Sequence, residues 1–153
     1  MANRLENHFK SIMKTSFPHC YFRKLVVLPG VYNKAPADFL LYGRQYLTFI
    51  ECKECEGTSI PHSKLTQVAL MSKTAKEHNT VYSHQIAGYF LIRFWKGSKK
   101  NSAYYVINVG ALNTMMVEGT KKSFNEADLD TYKYTYVQFL KLIQGMINGY
   151  ENI

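Results

Sequence analysis

Asp38, Glu51 and Lys53 are the residues of this chain whose types and spacing can do chemistry. Asp38 sits in Pro36-Ala37-Asp38-Phe39, and Ile50-Glu51-Cys52-Lys53 places the other two thirteen and fifteen residues later. That separation fits two adjacent strands joined by a turn. Strand side chains alternate between faces, so Glu51 and Lys53 point to one side, about 6.6 Å apart along the chain. With a turn near Gly43-Arg44, Asp38 comes to lie opposite Glu51. Two carboxylates beside an ammonium can hold Mg²⁺ against a phosphodiester. Cleaving that ester needs a nucleophilic water, neutralisation of the phosphate charge and stabilisation of the leaving oxygen, and a carboxylate-held ion with open positions supplies these. Lys53 is placed to position or deprotonate the water, or to neutralise developing charge. By spacing alone the triplet also reads as a solvated strand face, where Glu and Lys commonly alternate. The apolar neighbours Phe49 and Ile50, and the expectation that Glu51 ends its strand where a cleft opens, favour a site.

The elements that must position these residues follow from periodicity. Asn3-Arg4-Leu5-Glu6 has the capping-box pattern. Leu5, Phe9, Ile12 and Met13 recur at helical spacing, predicting a helix to about Thr15 that Pro18 ends. Residues 21–28 read as a strand closed by Pro29-Gly30. Residues 39–42 and 46–50 read as strands flanking a tight turn, and a loop over 56–59 follows. Ser63 is placed to cap a helix over 63–77. The nearly continuous apolar run 86–94 predicts a buried strand, residues 96–102 a polar hairpin loop, and 104–109 the returning strand. A short helix is expected over 111–117, a second capping box at Ser123-Phe124-Asn125-Glu126, and an amphipathic terminal helix over 137–147. The order α-β-β-β-α-β-β-α is that of a mixed α/β domain, with residues 1–153 expected to form a single one.

Composition narrows the partner. Apolar residues make up 46% and charged residues 20%, the balance of a folded globular chain rather than a disordered one. Nineteen Lys+Arg against eleven Asp+Glu, a formal net charge of +8, favour a polyanion. The basic residues are spread along the chain, which suits a broad surface tracking phosphates, and Arg4, Lys34, Arg44 and Lys64 are candidate DNA-binding residues. Twelve Tyr offer stacking capacity, although the core and half-buried sheet faces account for most of them. The N-terminus has no apolar signal-peptide core and no run approaches a membrane span, so no membrane partner is expected. An odd count of three cysteines argues against a disulfide framework and for a reducing, cytoplasmic setting. Cys52-x-x-Cys55, with Cys20 and His62, can alternatively be read as a zinc site or redox pair. Strand alternation, however, puts Cys52 on the face opposite Glu51, in the core.

The stretch Tyr42-Gly-Arg-Gln-Tyr-Leu-Thr-Phe-Ile-Glu51-Cys-Lys53-Glu54, then Thr58-Ser59-Ile60-Pro61, then Gln67, resembles the RecU family of Holliday-junction resolvases. That family carries G-R-Y-I-x-F-E-A-K-E, T-S-F-P and a helix bearing H-Q in the same order. Asn3 to Glu6 is similar to its N-R-G-x-x-L-E helix start, and Lys122-Ser123-Phe124 before Leu129 is similar to its K-S-I…L segment. The wider superfamily is the PD-(D/E)xK nucleases, here as Pro36-Ala37-Asp38 and Glu51-Cys52-Lys53. The resemblance implies a restriction-endonuclease-like mixed sheet flanked by helices. It also implies an endonuclease that uses Mg²⁺ or Mn²⁺ to resolve branched DNA, the four-way junction, by paired symmetric nicks as a homodimer. Asp38 and Glu51 would be metal ligands, Lys53 the catalytic lysine, and Gln67 would face the site from its helix. Glu6 would face the metals as a further acidic residue, and it reads equally as a capping-box glutamate. Thr58 and Ser59 would contact phosphate or orient ligands. Tyr104-Tyr105, Met115-Met116 and the terminal helix are candidates for the dimer interface. Two features depart from the family. Only Pro29 to Ala35 stands where it has a long basic excursion, which suits a phage-encoded or archaeal-like resolvase, and Ala37 replaces a hydroxyl residue. A PD-(D/E)xK nuclease acting on other DNA, of restriction or repair type, and a non-catalytic DNA-binding domain are the other readings.

Overall fold

The computed structural model describes residues 4–26, 35–95 and 103–149. The stripe Leu5, Phe9, Ile12 and Met13 is buried along α1 (Arg4–Ser16), as helical spacing predicts. Then come β1 (Phe22–Lys24), β2 (Phe39–Tyr42), β3 (Tyr46–Cys55), β4 (Ser59–Pro61), α2 (Gln67–Val81), β5 (Gln85–Phe94) and β6 (Tyr104–Asn108). The chain closes with α3 (Val109–Glu118), β7 (Ser123–Asn125), β8 (Lys133–Tyr134) and α4 (Tyr136–Asn148). Six strands form one sheet in the order β1-β2-β3-β5-β6-β8. The β3–β5 pair is parallel and its neighbours are antiparallel. A parallel pair needs a crossover, which α2 provides.

Helices cover both faces. Phe9, Met13, Phe139 and Ile143 of α1 and α4 pack with Phe39, Ile50, Cys52 and Leu91 on one side. Val68 and Met71 of α2 and Leu112 of α3 pack with Phe49, Phe90 and Ile92 on the other. Being covered on both faces is why β5 is nearly all apolar. The expected mixed α/β architecture, a sheet flanked by helices, is the one observed.

Several boundaries differ from the sequence reading, each for a non-local reason. β3 runs on to Cys55 because all ten of its residues pair with β5, so Glu51 lies mid-strand rather than at a strand end. The segment 59–61 is not loop: it pairs with β7, and the same pairing makes Ser123–Asn125 a strand instead of a helix cap. The reciprocal box falls two residues later, where the Asn125 and Asp128 backbone N–H groups donate to each other's side chains at 2.9 Å. With β4 so engaged, His62–Lys64 forms a 3₁₀ turn that buries Leu65, and the α-helix begins at Gln67 rather than Ser63. β1 is the three-residue part of the expected 21–28 strand; residues 27 and 28, Pro29-Gly30, Asn3 and the 96–102 loop lie outside the described residues.

The turn between β2 and β3 is fastened to the end of α4. Gly43 N–H donates to the Tyr46 carbonyl at 2.9 Å, and Arg44 N–H donates to the Ile147 carbonyl at 2.7 Å. A Cβ on Gly43 would collide with the Met146 carbonyl oxygen and stand 2.8 Å from that of Tyr46. Gly43→Ala is therefore expected to destabilise the protein by about 1–3 kcal/mol, the range for forced overpacking, read as a lower denaturation midpoint at unchanged m-value.

Candidate active site

Asp38 immediately precedes β2, and the register Phe39↔Ile50 sets it opposite Glu51. The Asp38 carbonyl accepts from Leu25 N–H at 2.8 Å, extending the β1–β2 ladder by one residue. Since β2 starts here, β3 beyond Glu51 has no β2 neighbour. Cys52 N–H donates to Asp38 Oδ2 at 2.9 Å, laying the carboxylate along β3. Lys53 Nζ stands 3.0 Å from Glu51 Oε1, as two residues on one strand face should. Lys24 Nζ pairs with Glu6 Oε2 and lies 3.7 Å from Asp38 Oδ1.

The electrostatics are those of charge drawn out of water. Asp38 is held above its ordinary pKa mainly by burial, with the Glu6 charge adding to it; the Cys52 N–H, Lys24 and Lys53 oppose the shift. Glu51, 3% exposed, is also raised by burial and then by the Asp38 charge, against the pull of Lys53 and of the Asp38 backbone N–H. Burial works to lower Lys24, but Glu6 and Asp38 outweigh it and hold the ammonium above its usual value. Behind the pair, burial and the three carboxylates push the Cys52 thiol well up, so it stays an inert core group.

Glu51 Oε2 is buried and makes no hydrogen bond among the described residues. A buried carboxylate oxygen without a partner is costly, and a hard divalent cation is the partner its chemistry prefers. Asp38 and Glu51 thus fit such an ion. Glu6 comes from α1 to the same region but is turned to Lys24. Accordingly, no three His, Cys, Asp or Glu side chains among the described residues are gathered as a ready-made metal cluster.

The remaining sequence candidates divide. Gln67, at the start of α2, donates its side-chain amide to the Ala35 carbonyl at 3.3 Å and so holds the segment leading into Asp38. Arg4 is engaged within the protein: its Nη2 bonds Glu56 at 2.6 Å, its Nε lies 3.6 Å from Glu54, and its guanidinium stacks over Trp95. Thr58 and Ser59 are exposed just past the end of β3, and Lys64 is exposed on the turn into α2. Arg44 is exposed at the turn end of the hairpin, roughly 15–20 Å of strand away from Asp38, so the fold does not bring it to this site. Lys34 lies outside the described residues.

Ala37 is buried in the apolar core layer of α2. Cys52 and Cys55 point into opposite core layers and no disulfide joins the cysteines, which disperses the zinc or redox constellation. Tyr104 and Tyr105 are buried within the chain and are not interface candidates, whereas Met115 and Met116 are half-buried. Lys24 stands beside the Glu6 and Asp38 carboxylates without being singled out by the sequence motifs. Its signal was the Phe22-x-Lys24 alternation, which places Lys24 beside a phenylalanine that packs on Phe9 of α1. No helix among the described residues is long and apolar enough to cross a membrane.

The strand order, the parallel β3–β5 pair and the helices on both faces define a resolvase/restriction-endonuclease-like fold. Among solved structures, the chain is similar to Hjc of Archaeoglobus fulgidus, a Holliday junction resolvase from an archaeal hyperthermophile. The TM-score is 0.51 at 12% identity, over 90% of this chain and 93% of that one. At this identity the likeness is one of fold. No protein-family model and no curated protein matches the sequence.

Raised pKa values mean that the folded state binds protons at Asp38 and Glu51 more tightly than the unfolded chain does. Their contribution to stability is therefore fully present below the ordinary carboxylate pKa and is lost as pH rises through the raised values. Metal-free Glu51→Gln is expected to melt about 2–4 °C above wild type near neutral pH, and to show less stabilisation on acidification. Calorimetry across that window in chelator checks this; coincident curves would contradict a charged Glu51 held at a cost.

Proposed function

We propose that the chain is a metal-dependent endonuclease of the Holliday-junction-resolvase type, RecU-like in its motifs, which hydrolyses phosphodiesters of four-way DNA junctions as a homodimer with Mg²⁺ or Mn²⁺. The observation that carries the reading is Asp38 facing Glu51-x-Lys53 across one strand pair, with a buried carboxylate oxygen lacking a partner. The similarity of fold to a junction resolvase supports it.

In this reading Asp38, its carboxylate aligned by the Cys52 amide, and Glu51, with one buried oxygen lacking a hydrogen bond, would hold the ion. The chemistry such an ion supplies when bound is charge neutralisation on the phosphate and activation of a water. Lys53, kept beside Glu51, would offer its ammonium to the negative charge that develops on the phosphate. Gln67 acts as a positioning residue through Ala35. Thr58, Ser59 and Lys64 offer donors to flanking phosphates, and the net charge of +8 adds salt-dependent affinity for DNA of any sequence. A junction presents two symmetry-related strands, which a two-fold dimer matches.

The test is cleavage of a mobile four-way junction in Mg²⁺ with the two opposed strands labelled separately. Symmetric nicks are expected from wild type. Asp38→Asn and Lys53→Ala should each lose about 10³-fold or more in rate, in the upper part of the range for removing a catalytic group, while retaining the junction in gel shifts. Wild-type rates in both variants would overturn the proposal. Equal cutting of flaps or linear duplex would move it to a repair or restriction nuclease, and salt-sensitive retention without cleavage to a DNA-binding domain.

A further inference from the structure

The site region already contains a cation of its own. Lys24, on the edge strand β1, sets its Nζ between two elements: it pairs with Glu6 Oε2 of α1 and stands 3.7 Å from Asp38 Oδ1 ahead of β2. The Phe39 ring lies beneath it, 5.1 Å from the ammonium. Glu6 is itself buried, so its charge requires a cation close by. The other Asp38 oxygen is committed to the Cys52 N–H. The Asp38 oxygen turned away from β3, and the carboxylate that α1 contributes, are therefore the ones an ammonium occupies. Lysine suits an exchangeable role, being a compact point charge on a flexible four-carbon stem. Its side chain, 34% exposed, has a route to solvent.

Resting on the metal-site reading above, we propose that Lys24 is an internal counter-ion that competes with the divalent cation for Glu6 and Asp38, so that loading the site requires its ammonium to leave. An ammonium on Glu6 and Asp38 and a divalent ion on Asp38 and Glu51, sharing one carboxylate, would repel at a separation of a few ångströms, and in a partly buried site that repulsion is weakly screened. Occupancy by one excludes the other. The same exchange explains why three carboxylates meet in this region without forming a ready cluster: Glu6 is a ligand kept in reserve by Lys24. In the metal-free protein Lys24 limits the mutual repulsion of Glu6 and Asp38, and it sets the cation concentration at which the site fills.

The experiment is Mn²⁺ titration of the full chain by calorimetry, without DNA, for wild type, Lys24→Met, Lys24→Gln and Asp38→Asn. Removal of the competing charge is expected to tighten Mn²⁺ binding by about tenfold or more in both Lys24 variants, and Asp38→Asn to abolish it. The melting-temperature rise on adding Mn²⁺ should likewise be larger in the Lys24 variants than in wild type, a readout that remains usable if either variant is less stable. A lysine that merely braces the fold would give weaker or unchanged Mn²⁺ affinity when replaced, and that result would overturn the proposal. If Asp38→Asn loses binding while the Lys24 variants gain nothing, only the role of Lys24 fails. If Asp38→Asn binds as wild type does, the metal-site reading itself fails, and the competition with it.

Discussion

Asp38 and Glu51 face each other across one antiparallel strand pair, both drawn out of water, with Glu51 in the field of Asp38 and Asp38 in that of Glu6. Left alone, such a pair would resist folding. The surrounding structure is arranged around that constraint. The Cys52 amide fixes one Asp38 oxygen, Lys24 lies near the other, and Lys53 holds one Glu51 oxygen. Only partial relief is provided, since Glu51 Oε2 stays buried without a partner. Local cost retained at one point of an otherwise well-packed protein is a mark of a site built for a ligand.

β3 serves two tasks because its side chains alternate. Glu51 and Lys53 share the strand face of Phe49 and Cys55, which pack in the α2 layer. Cys52 and Glu54 face α1: Cys52 packs in that core layer, and Glu54 accepts from the Arg4 backbone N–H and from the Trp95 indole N–H. Arg93, paired with Glu54 across the parallel ladder, lies over both Trp95 and Tyr104. This network ties the first turn of α1 to the far end of β3. Anchoring α1 there places Glu6, two residues further on, within reach of Lys24. A packing arrangement on one side of the sheet thus decides where a carboxylate stands at the site.

Much of this was legible in the chain. Helical spacing located α1 and α4 to within a residue or two, and the apolar run 86–94 located β5, because burial of one stripe or of both strand faces writes a local pattern. The pairing of Asp38 with Glu51 followed from a short hairpin around Gly43-Arg44. What failed was governed by remote partners. β4 and β7 are three residues each and exist only through each other, across more than sixty residues of chain, so Ser63 and Ser123 looked like helix caps. β3 seemed to stop at Glu51 because its polar continuation carries no apolar signal, and it continues because β5 lies alongside it.

By itself the sequence determined which residues could do the chemistry and which faces they share. A period of two puts Glu51 with Lys53 and sends Cys52 the other way, whatever the rest of the chain does. Only the tertiary structure decided which charges meet. Glu6 and Lys24 are eighteen residues apart, with a helix end and a turn between them, and they come together because β1 pairs with β2 beneath α1. Arg44 lies close to Glu51 in sequence yet ends a hairpin's length away, and Arg4 is far from Glu54 in sequence yet bound to it. Alternation is a property of neighbouring backbone units, whereas the field at a buried carboxylate sums over whatever the fold has packed around it.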